Sequence, residues 1–280
     1  MPLDLTPIVI AGATGSGKSL LALDIASKLG GEIVCADSRQ IYKNMNIGTS
    51  GPSLLDYCRI PHHEFEKLEP NEIYSAGQFV LDTDIAVRNI KARKKIPILV
   101  GGTGLYLRAW RFGIDTFFPT NQCIRHQLEE EDPLILYDRL MILDTITATQ
   151  IDRNDIMRIR RALEICIITG QRVSDLVKIN LNQIPRVNAY WFLKICPREE
   201  LENNLMIRVE KMFNLGFVDE ALKLNGQVPT TGYKEVLEYA RNIISKKEAI
   251  EKIFIKHRQY AKKQITWFKK ESWWRRDFVL

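Results

Sequence analysis

The chain has 280 residues, of which 45% are hydrophobic and 26% are charged, and its formal net charge is +6. This length can bury a full core, either as one domain with an insertion or as two small domains. No run of eighteen apolar residues occurs, and no basic segment precedes a signal-peptide core, so we expect a cytoplasmic protein without a membrane partner.

The positive charge is concentrated in the last part of the sequence. Residues 246–280 contain eleven Lys and Arg against four Asp and Glu, which leaves a net charge of −1 for the other 245 residues. Seven aromatic residues, including Trp267, Trp273 and Trp274, lie in the same segment. Basic and aromatic side chains together suit RNA, although an amphipathic helix that packs its aromatic residues on the core has the same composition.

The first predicted strand, residues 8–11, leads into a phosphate loop with the spacing G-x-x-x-x-G-K-S, followed by a helix over residues 20–29. Successive backbone N–H groups of such a loop surround one phosphate group, and the helix adds its positive N-terminal end. Lys18 should reach the outer phosphate oxygens, and Ser19 should ligate Mg²⁺. The predicted phosphate-binding residues are Gly12, Ala13, Thr14, Gly15, Ser16, Gly17, Lys18 and Ser19. The loop alone does not distinguish a nucleoside triphosphate from another diphosphate.

A second apolar strand, residues 32–36, ends at Asp37. The carboxyl ends of parallel strands face the ligand crevice, so Asp37 should emerge beside the phosphate loop. We rank a general base as its first role, an indirect contact to magnesium second, and a helix N-cap third. Further along, His62 and His63 are expected in a loop where one of them makes a hydrogen bond, because adjacent residues do not share one face of a strand or helix.

Ser75 and Gln78 form the capping-box pattern of a helix that runs to about residue 94, and the strand at residues 96–100 follows it. This strand opens into Gly101-Gly102-Thr103-Gly104. A phosphate-loop hydrolase usually carries an acid at this point, so the glycines argue against an ATPase and for close approach of a second substrate. Packing of a tight turn is the alternative explanation for these glycines.

The strand–helix alternation stops between about residues 113 and 186. Helices are predicted there over residues 125–137, 138–151 and 154–169. Arg158 and Arg161 share one face of the last helix, and Arg160 points away from it. Phosphate contacts and structural salt bridges both remain open for these arginines.

Strand character returns at residues 189–195, and helices are predicted over residues 198–215, 217–224, 233–244 and 247–270. We therefore predict an α/β fold with a P-loop NTPase-like parallel sheet flanked by helices. Residues 1–112 and 187–280 should form this core with its basic C-terminal helices, and residues 113–186 should form a helical insertion.

Taken together, the motifs resemble those of the tRNA dimethylallyltransferases, in order from about residue 8 to residue 270. The residues that carry the resemblance are the phosphate loop, Asp37-Ser38-Arg39-Gln40-Ile41-Tyr42, Asn46-Ile47-Gly48-Thr49, Pro61-His62-His63, Val100-Gly101-Gly102-Thr103-Gly104-Leu105-Tyr106, Asn154-Asp155, Arg161-Ala162-Leu163-Glu164, Gly232-Tyr233-Lys234-Glu235 and residues 259–268. The resemblance implies transfer of a dimethylallyl group from dimethylallyl diphosphate to N6 of the adenosine on the 3′ side of the tRNA anticodon.

The resemblance also implies roles for individual residues. Lys18, Asp37 and Thr103 would be catalytic, with Asp37 accepting the amine proton and Mg²⁺ as the cofactor. The helical insertion would clamp the anticodon stem, and we expect a monomer. The implied tRNA-binding residues are Asp37, Ser38, Arg39, Gln40, Thr103, Arg125, Met157, Arg158, Arg160, Arg161, Gly232, Tyr233 and Lys234.

Three features depart from the family pattern. Gly51 replaces a lysine near the active-site entrance, Met157 replaces a glutamine, and the insertion is shortened around residues 128–145. These departures concern RNA recognition more than prenyl transfer. They keep open the alternative that the protein prenylates a free adenine nucleotide. A phosphate-loop kinase of a small metabolite is a further alternative, from a different class of function.

Overall fold

A computed structural model describes residues 4–113, 120–178, 184–224, 230–271 and 274 of the chain. Trp273, one of the aromatic residues noted in the basic segment, lies outside these residues. The chain divides into two compact units. The core unit comprises Met1–Arg111 and Arg186–Leu280, and the helical unit comprises Phe112–Pro185.

The core unit is built on a five-stranded sheet in which every neighbouring pair is parallel. The strands are β1 (Ile8–Gly12), β2 (Gly31–Cys35), β3 (His62–His63), β4 (Ile96–Gly101) and β5 (Tyr190–Lys194), in the spatial order β3-β2-β4-β1-β5. β1 and β2 are buried along their whole length, as strands inside a parallel sheet usually are. The predicted fold class, a P-loop NTPase-like parallel sheet flanked by helices, is thereby confirmed.

The described residues form fourteen helices. In chain order they are α1 (Lys18–Leu29), α2 (Asn46–Thr49), α3 (Leu54–Arg59), α4 (Ala76–Ala92), α5 (Gly104–Phe112), α6 (Gln122–Glu130), α7 (Pro133–Leu143), α8 (Thr145–Gln150), α9 (Ile156–Thr169), α10 (Val173–Lys178), α11 (Arg198–Asn214), α12 (Phe217–Lys223), α13 (Tyr233–Ala240) and α14 (Lys246–Lys270). None of these helices is both long enough and apolar enough to cross a membrane.

The prediction of a loop at His62 and His63 was wrong, because both residues pair with β2 as the short edge strand β3. His63 Nε2 lies 2.7 Å from Glu32 Oε2, and His62 Nδ1 lies 2.7 Å from the Ile60 carbonyl oxygen. Both histidines therefore make hydrogen bonds. The buried Glu32 carboxylate, which also accepts from Arg93, anchors this edge of the sheet.

The capping box predicted at α4 is only half present. Ser75 accepts a hydrogen bond from the Gln78 backbone N–H at 3.1 Å, as an N-cap should. The Gln78 side chain instead donates to Asp82 Oδ1 at 2.9 Å, because Asp82 is a buried carboxylate that needs donors.

The helical unit has its own apolar core, which includes Leu128, Leu140 and Leu163. Three helices, α6 to α8, lie where two were predicted. The breaks come at two aspartates whose side chains cap the next helix: Asp132 accepts from the Leu134 N–H at 2.8 Å, and Asp144 accepts from the Thr147 N–H at 3.1 Å. A capped N-terminus ends the preceding helix because the capping residue has non-helical dihedral angles.

Candidate active site

The phosphate loop joins β1 to α1, and two left-handed glycines shape it. Gly15 has φ 79° and Gly17, the N-cap of α1, has φ 83°, values that disfavour side chains. Helix α1 begins at Lys18, two residues before the predicted start. Lys18 is 9% exposed, and its Nζ lies 3.3 Å from the Ala13 carbonyl oxygen. Ser19 lies next to it and is exposed at the start of the helix.

The loop residues fit a phosphate ligand. A Cβ atom on Gly12 would lie 2.7 Å from Ser16 Oγ and 2.9 Å from the Lys194 carbonyl oxygen, so only glycine fits at the end of β1. Ser16 is 3% exposed, and its hydroxyl has no hydrogen-bond partner among the described residues. A buried, unpaired hydroxyl inside such a loop is suited to a ligand oxygen.

Gln264 on helix α14 connects the phosphate loop to the turn after β4, and this side chain is 6% exposed. We call it the strut. Its Oε1 accepts from the Thr14 backbone N–H at 2.8 Å, and its Nε2 donates to the Gly102 carbonyl oxygen at 3.0 Å. One side chain thus holds the phosphate loop and the turn after β4 at a fixed separation. Sequence reasoning gave this glutamine no role of its own.

The glycines after β4 are required by packing against the protein itself. A Cβ atom on Gly101 would overlap the backbone of Ala36, and one on Gly104 would overlap the ring of Trp267. A Cβ on Gly102 would likewise overlap the Gln264 side chain. These contacts support the packing alternative over close approach of a second substrate.

Asp37 follows β2 and lies at the same edge of the sheet as the phosphate loop. Its Oδ1 accepts from the Arg39 backbone N–H at 2.9 Å, and the described residues donate no hydrogen bond to Oδ2. Thr103 Oγ1 accepts from the Ser38 backbone N–H at 2.9 Å and so ties the end of β2 to the turn after β4. Three of the predicted site residues, Asp37, Ser38 and Thr103, are therefore brought together.

Arg208 on α11 completes the charge arrangement, and sequence reasoning missed it. Burial lowers the pKa of Lys18 to about 8 and that of Arg208 to about 10, and in each case the Asp37 carboxylate opposes the shift. Arg208 Nη2 donates to the Thr49 carbonyl oxygen at 2.8 Å. The helical spacing from the buried Leu201 and Leu205 places Arg208 on the apolar face of α11, which was an available signal.

Lys18 and Arg208 both lie within range of the Asp37 charge. Lys18 is buried and Arg208 is half-buried, so both attract an anion more strongly than fully exposed lysines would. This arrangement is able to bind a diphosphate and to stabilise negative charge that develops on it.

A clasp from the C-terminal helices holds the short helix α2 in place. Glu220 accepts from the backbone N–H groups of Ile47 at 2.7 Å and Gly48 at 2.8 Å, and from the Tyr233 hydroxyl at 2.7 Å. Burial and the Glu220 carboxylate raise the pKa of the Tyr233 phenol, which keeps it a donor. The clasp fixes the Thr49 carbonyl at the end of α2, where it meets Arg208.

This clasp bears on three predicted tRNA-binding residues. Tyr233 is 3% exposed, so its ring packs in the core. Gly232 is the N-cap of α13 and has a left-handed conformation with φ 99°. Lys234 has an exposed side chain near Glu238, at 3.8 Å. Of the three, only the Lys234 side chain is exposed to a second molecule.

The predicted arginines of the helical unit separate into two groups. Arg125 and Arg161 both donate to the buried Glu164, at 3.0 and 2.5 Å, so structural salt bridges occupy them. Arg160 Nη2 donates to the Glu129 carbonyl oxygen at 3.0 Å. Met157 and Arg158 are exposed on the first turn of α9, where Arg158 lies 3.2 Å from Asp155.

A small cavity of about 110 Å³ lies beside the phosphate loop, with Lys18, Ser19, Gln40 and His62 among its lining residues. Gly51 also lines it, and a Cβ atom there would overlap Asn46 Oδ1. The asparagine side chain therefore occupies the space that a lysine at position 51 would need.

The fold and the site define an α/β protein with a phosphate loop at the carboxyl end of its first strand. The family model for IPP transferases matches residues 40–271, and the chain belongs to this family. A tRNA dimethylallyltransferase of Anaeromyxobacter sp. (strain K) is 37% identical over 275 residues, which cover 94% of this chain and 90% of the relative. A tRNA dimethylallyltransferase 1 of Citrifermentans bemidjiense is 37% identical over 273 residues, 95% of this chain and 89% of the relative.

Two solved structures share the fold. A tRNA isopentenylpyrophosphate transferase from Bacillus halodurans has a TM-score of 0.68 at 30% identity, covering 96% of this chain and 88% of that one. A eukaryotic dimethylallyltransferase acting on tRNA has a TM-score of 0.76 at 30% identity, covering 94% of this chain and 69% of that one. The resemblance inferred from the sequence motifs is thereby confirmed at the level of the family.

Proposed function

We propose that this protein transfers a dimethylallyl group from dimethylallyl diphosphate to N6 of the adenosine on the 3′ side of the tRNA anticodon and releases pyrophosphate. The observation that carries the proposal is the placement of Lys18 and Asp37 at the carboxyl edge of the parallel sheet, where the Asp37 carboxylate interacts with the charge of Arg208. The names of the relatives support the same reaction.

The chemistry requires that a carbon–oxygen bond break as a nitrogen–carbon bond forms. The adenine N6 attacks C1 of the allylic group, and the bonding electrons leave with the pyrophosphate oxygen. Lys18 and Arg208 stabilise that negative charge, and the backbone N–H groups of the phosphate loop add to it. Asp37, whose Oδ2 receives no hydrogen bond from the described residues, accepts the proton that N6 loses.

Magnesium fits the site as a bound partner of the diphosphate. The described residues contain no group of three or more His, Cys, Asp or Glu side chains that could hold a metal alone. Mg²⁺ usually keeps few protein ligands and binds substrate phosphates, so the exposed Ser19 hydroxyl is its expected protein ligand. When bound, Mg²⁺ supplies positive charge to the departing pyrophosphate.

The proposed tRNA-binding surface comprises the end of β2 and the exposed basic face of α14. Ser38, Arg39, Gln40 and Thr103 would contact the target nucleotide, which must leave the anticodon stack to reach a site inside the protein. A surface groove on α14 joins lysines to an aromatic ring, a combination suited to an RNA strand. Its lining residues are Gln259, Lys262, Lys263, Thr266, Trp267 and Lys270.

The helical unit is proposed to contact the anticodon stem. Arg158 offers the most exposed guanidinium of the predicted set, with an exposed side-chain fraction of 73% against 35% and 36% for Arg125 and Arg161. Lys234 would add a phosphate contact from the core unit. Such contacts position RNA without reading its sequence.

The test is mass analysis of nucleosides from tRNA incubated with the purified protein, Mg²⁺ and dimethylallyl diphosphate. We expect a mass gain on the adenosine beside the anticodon, and no gain on any such tRNA would refute the proposal. A parallel reaction with AMP tests the free-nucleotide alternative, and a faster reaction with AMP than with an anticodon stem-loop would replace the proposed acceptor.

A further inference from the structure

His257 on α14 is a buried side chain and Arg208 on α11 is a half-buried one, and each has a buried nitrogen atom without a hydrogen-bond partner among the described residues. Arg208 uses Nη2 for the Thr49 carbonyl oxygen, but its Nε is buried without a hydrogen-bond partner among the described residues. His257 is 4% exposed, and within the same described part of the chain its Nδ1 is also buried and unpaired. Unpaired buried nitrogen atoms are rare in proteins, so both require an explanation.

The packing of the two helices places these residues opposite each other. Two buried clusters define an antiparallel register: Ala261 packs in one with Leu205, and Ile253 packs in the other with Val209. His257 lies four residues from each of its two neighbours on α14 and therefore on the same helix face. It faces the turn of α11 that carries Arg208.

The charge states of the two side chains are complementary. Burial, with a further contribution from the Arg208 charge, lowers the pKa of His257 to about 3, so the imidazole is neutral at physiological pH. A neutral imidazole has one nitrogen that accepts a hydrogen bond, whereas the guanidinium has only donors. His257 Nδ1 therefore suits the Arg208 Nε–H as an acceptor.

We propose that His257 is a positioning residue for the diphosphate site, in which its unprotonated Nδ1 accepts a hydrogen bond from Arg208 Nε–H when Arg208 binds a diphosphate group. Thr49 and His257 then hold two of the three guanidinium nitrogens, Nη2 and Nε, and the Nη1 N–H groups remain for the ligand. Side-chain hydrogen bonds of this kind commonly tighten only in the complex. The inference rests on the proposed function in one respect, that the ligand is a diphosphate.

The test measures binding of pyrophosphate with Mg²⁺ by titration calorimetry to the wild-type protein, His257→Leu and His257→Asn. Leucine has a similar volume and no acceptor, whereas asparagine can place Oδ1 where the imidazole has Nδ1. We expect affinity about tenfold weaker for His257→Leu, the effect of one charge-assisted hydrogen bond, and within about threefold of wild type for His257→Asn. Equal affinities for the two variants would overturn the inference.

A second comparison separates positioning from loss of packing. Lysine has no group equivalent to Arg208 Nε–H, so His257→Leu should cause no further loss of affinity in an Arg208→Lys background. The same tenfold loss in that background would show that His257 acts on the fold and would overturn the inference. Thermal unfolding of each variant reports the packing contribution independently.

The outcomes also distinguish this inference from the proposed function. Pyrophosphate binding that depends on His257, in a protein that transfers nothing to tRNA, would keep the inference and refute the function. Transfer to tRNA with unchanged pyrophosphate binding in His257→Leu would do the reverse. A wild-type protein that binds no pyrophosphate would overturn the inference, and the transfer assay alone would decide the proposed function.

Discussion

Replacement of Gln264 by leucine should both destabilise the protein and disturb the phosphate loop. The substitution keeps the side-chain volume but removes the bonds to the Thr14 N–H at 2.8 Å and the Gly102 carbonyl at 3.0 Å. Each buried group left unpaired costs about 1–3 kcal/mol, so the pair should cost about 2–6 kcal/mol of the free energy of unfolding. This cost is a large part of the free energy of unfolding of a typical folded domain, which is about 5–15 kcal/mol.

The assay is urea denaturation followed by far-UV circular dichroism. With a denaturant slope of about 3 kcal/mol/M, the midpoint should fall by roughly 1–2 M. Gln259→Leu is the matched control, because Gln259 is exposed on the same helix and its replacement should change stability by about 0.5 kcal/mol or less. Equal midpoints for the two variants would refute the idea that Gln264 is a strut. Pyrophosphate affinity should also fall for Gln264→Leu.

Three further predictions follow from the site and its surroundings. Asp37→Ala should lower turnover by about two to four orders of magnitude while tRNA binding stays nearly intact, measured by single-turnover kinetics and filter binding; an unchanged rate would remove Asp37 from the mechanism. Because burial lowers the pKa of Lys18 to about 8, protonated Lys18 is lost as pH rises through that value. Dimethylallyl diphosphate affinity should then fall about tenfold per pH unit above 8, and the same slope in Lys18→Arg would contradict this. Gly48→Ala should cost about 1–3 kcal/mol, seen as a lower urea midpoint, because its Cβ would press on Phe217; an unchanged midpoint would show that α2 yields at little cost.

The sheet could be predicted from the sequence because its strands carry a local signal. β1 and β4 are almost wholly apolar, β2 carries the apolar run Ile33-Val34-Cys35 after Glu32, and β5 has strand-forming aromatic residues. β3 was missed because two residues carry no periodicity, and it exists through pairing with β2. The helix breaks at Asp132 and Asp144 were missed because an aspartate caps a helix only when its side chain accepts a hydrogen bond from a backbone N–H of that helix. The sequence alone does not show this hydrogen bond.

The site could be predicted only where its residues are close to the phosphate loop or to strand ends. Lys18, Asp37 and Thr103 follow strands, so the rule for the carboxyl ends of parallel strands places them together. Arg208, His257 and Gln264 come from α11 and α14, and only the packing of those helices brings them to the site. Their polar side chains on otherwise buried helix faces were the available sign.

The clasp of Glu220 on α2 bears on synthesis of the chain, because its two parts leave the ribosome at different times. Helix α2 has four residues, too few to be stable alone, and its first N–H groups are bound by a side chain 173 and 172 residues later. A ribosome synthesising this chain releases the phosphate loop long before the residues that fix the Thr49 carbonyl. A nascent chain that ends before α12 therefore carries every phosphate-loop residue but lacks the support that orients Arg208, and it should bind pyrophosphate poorly.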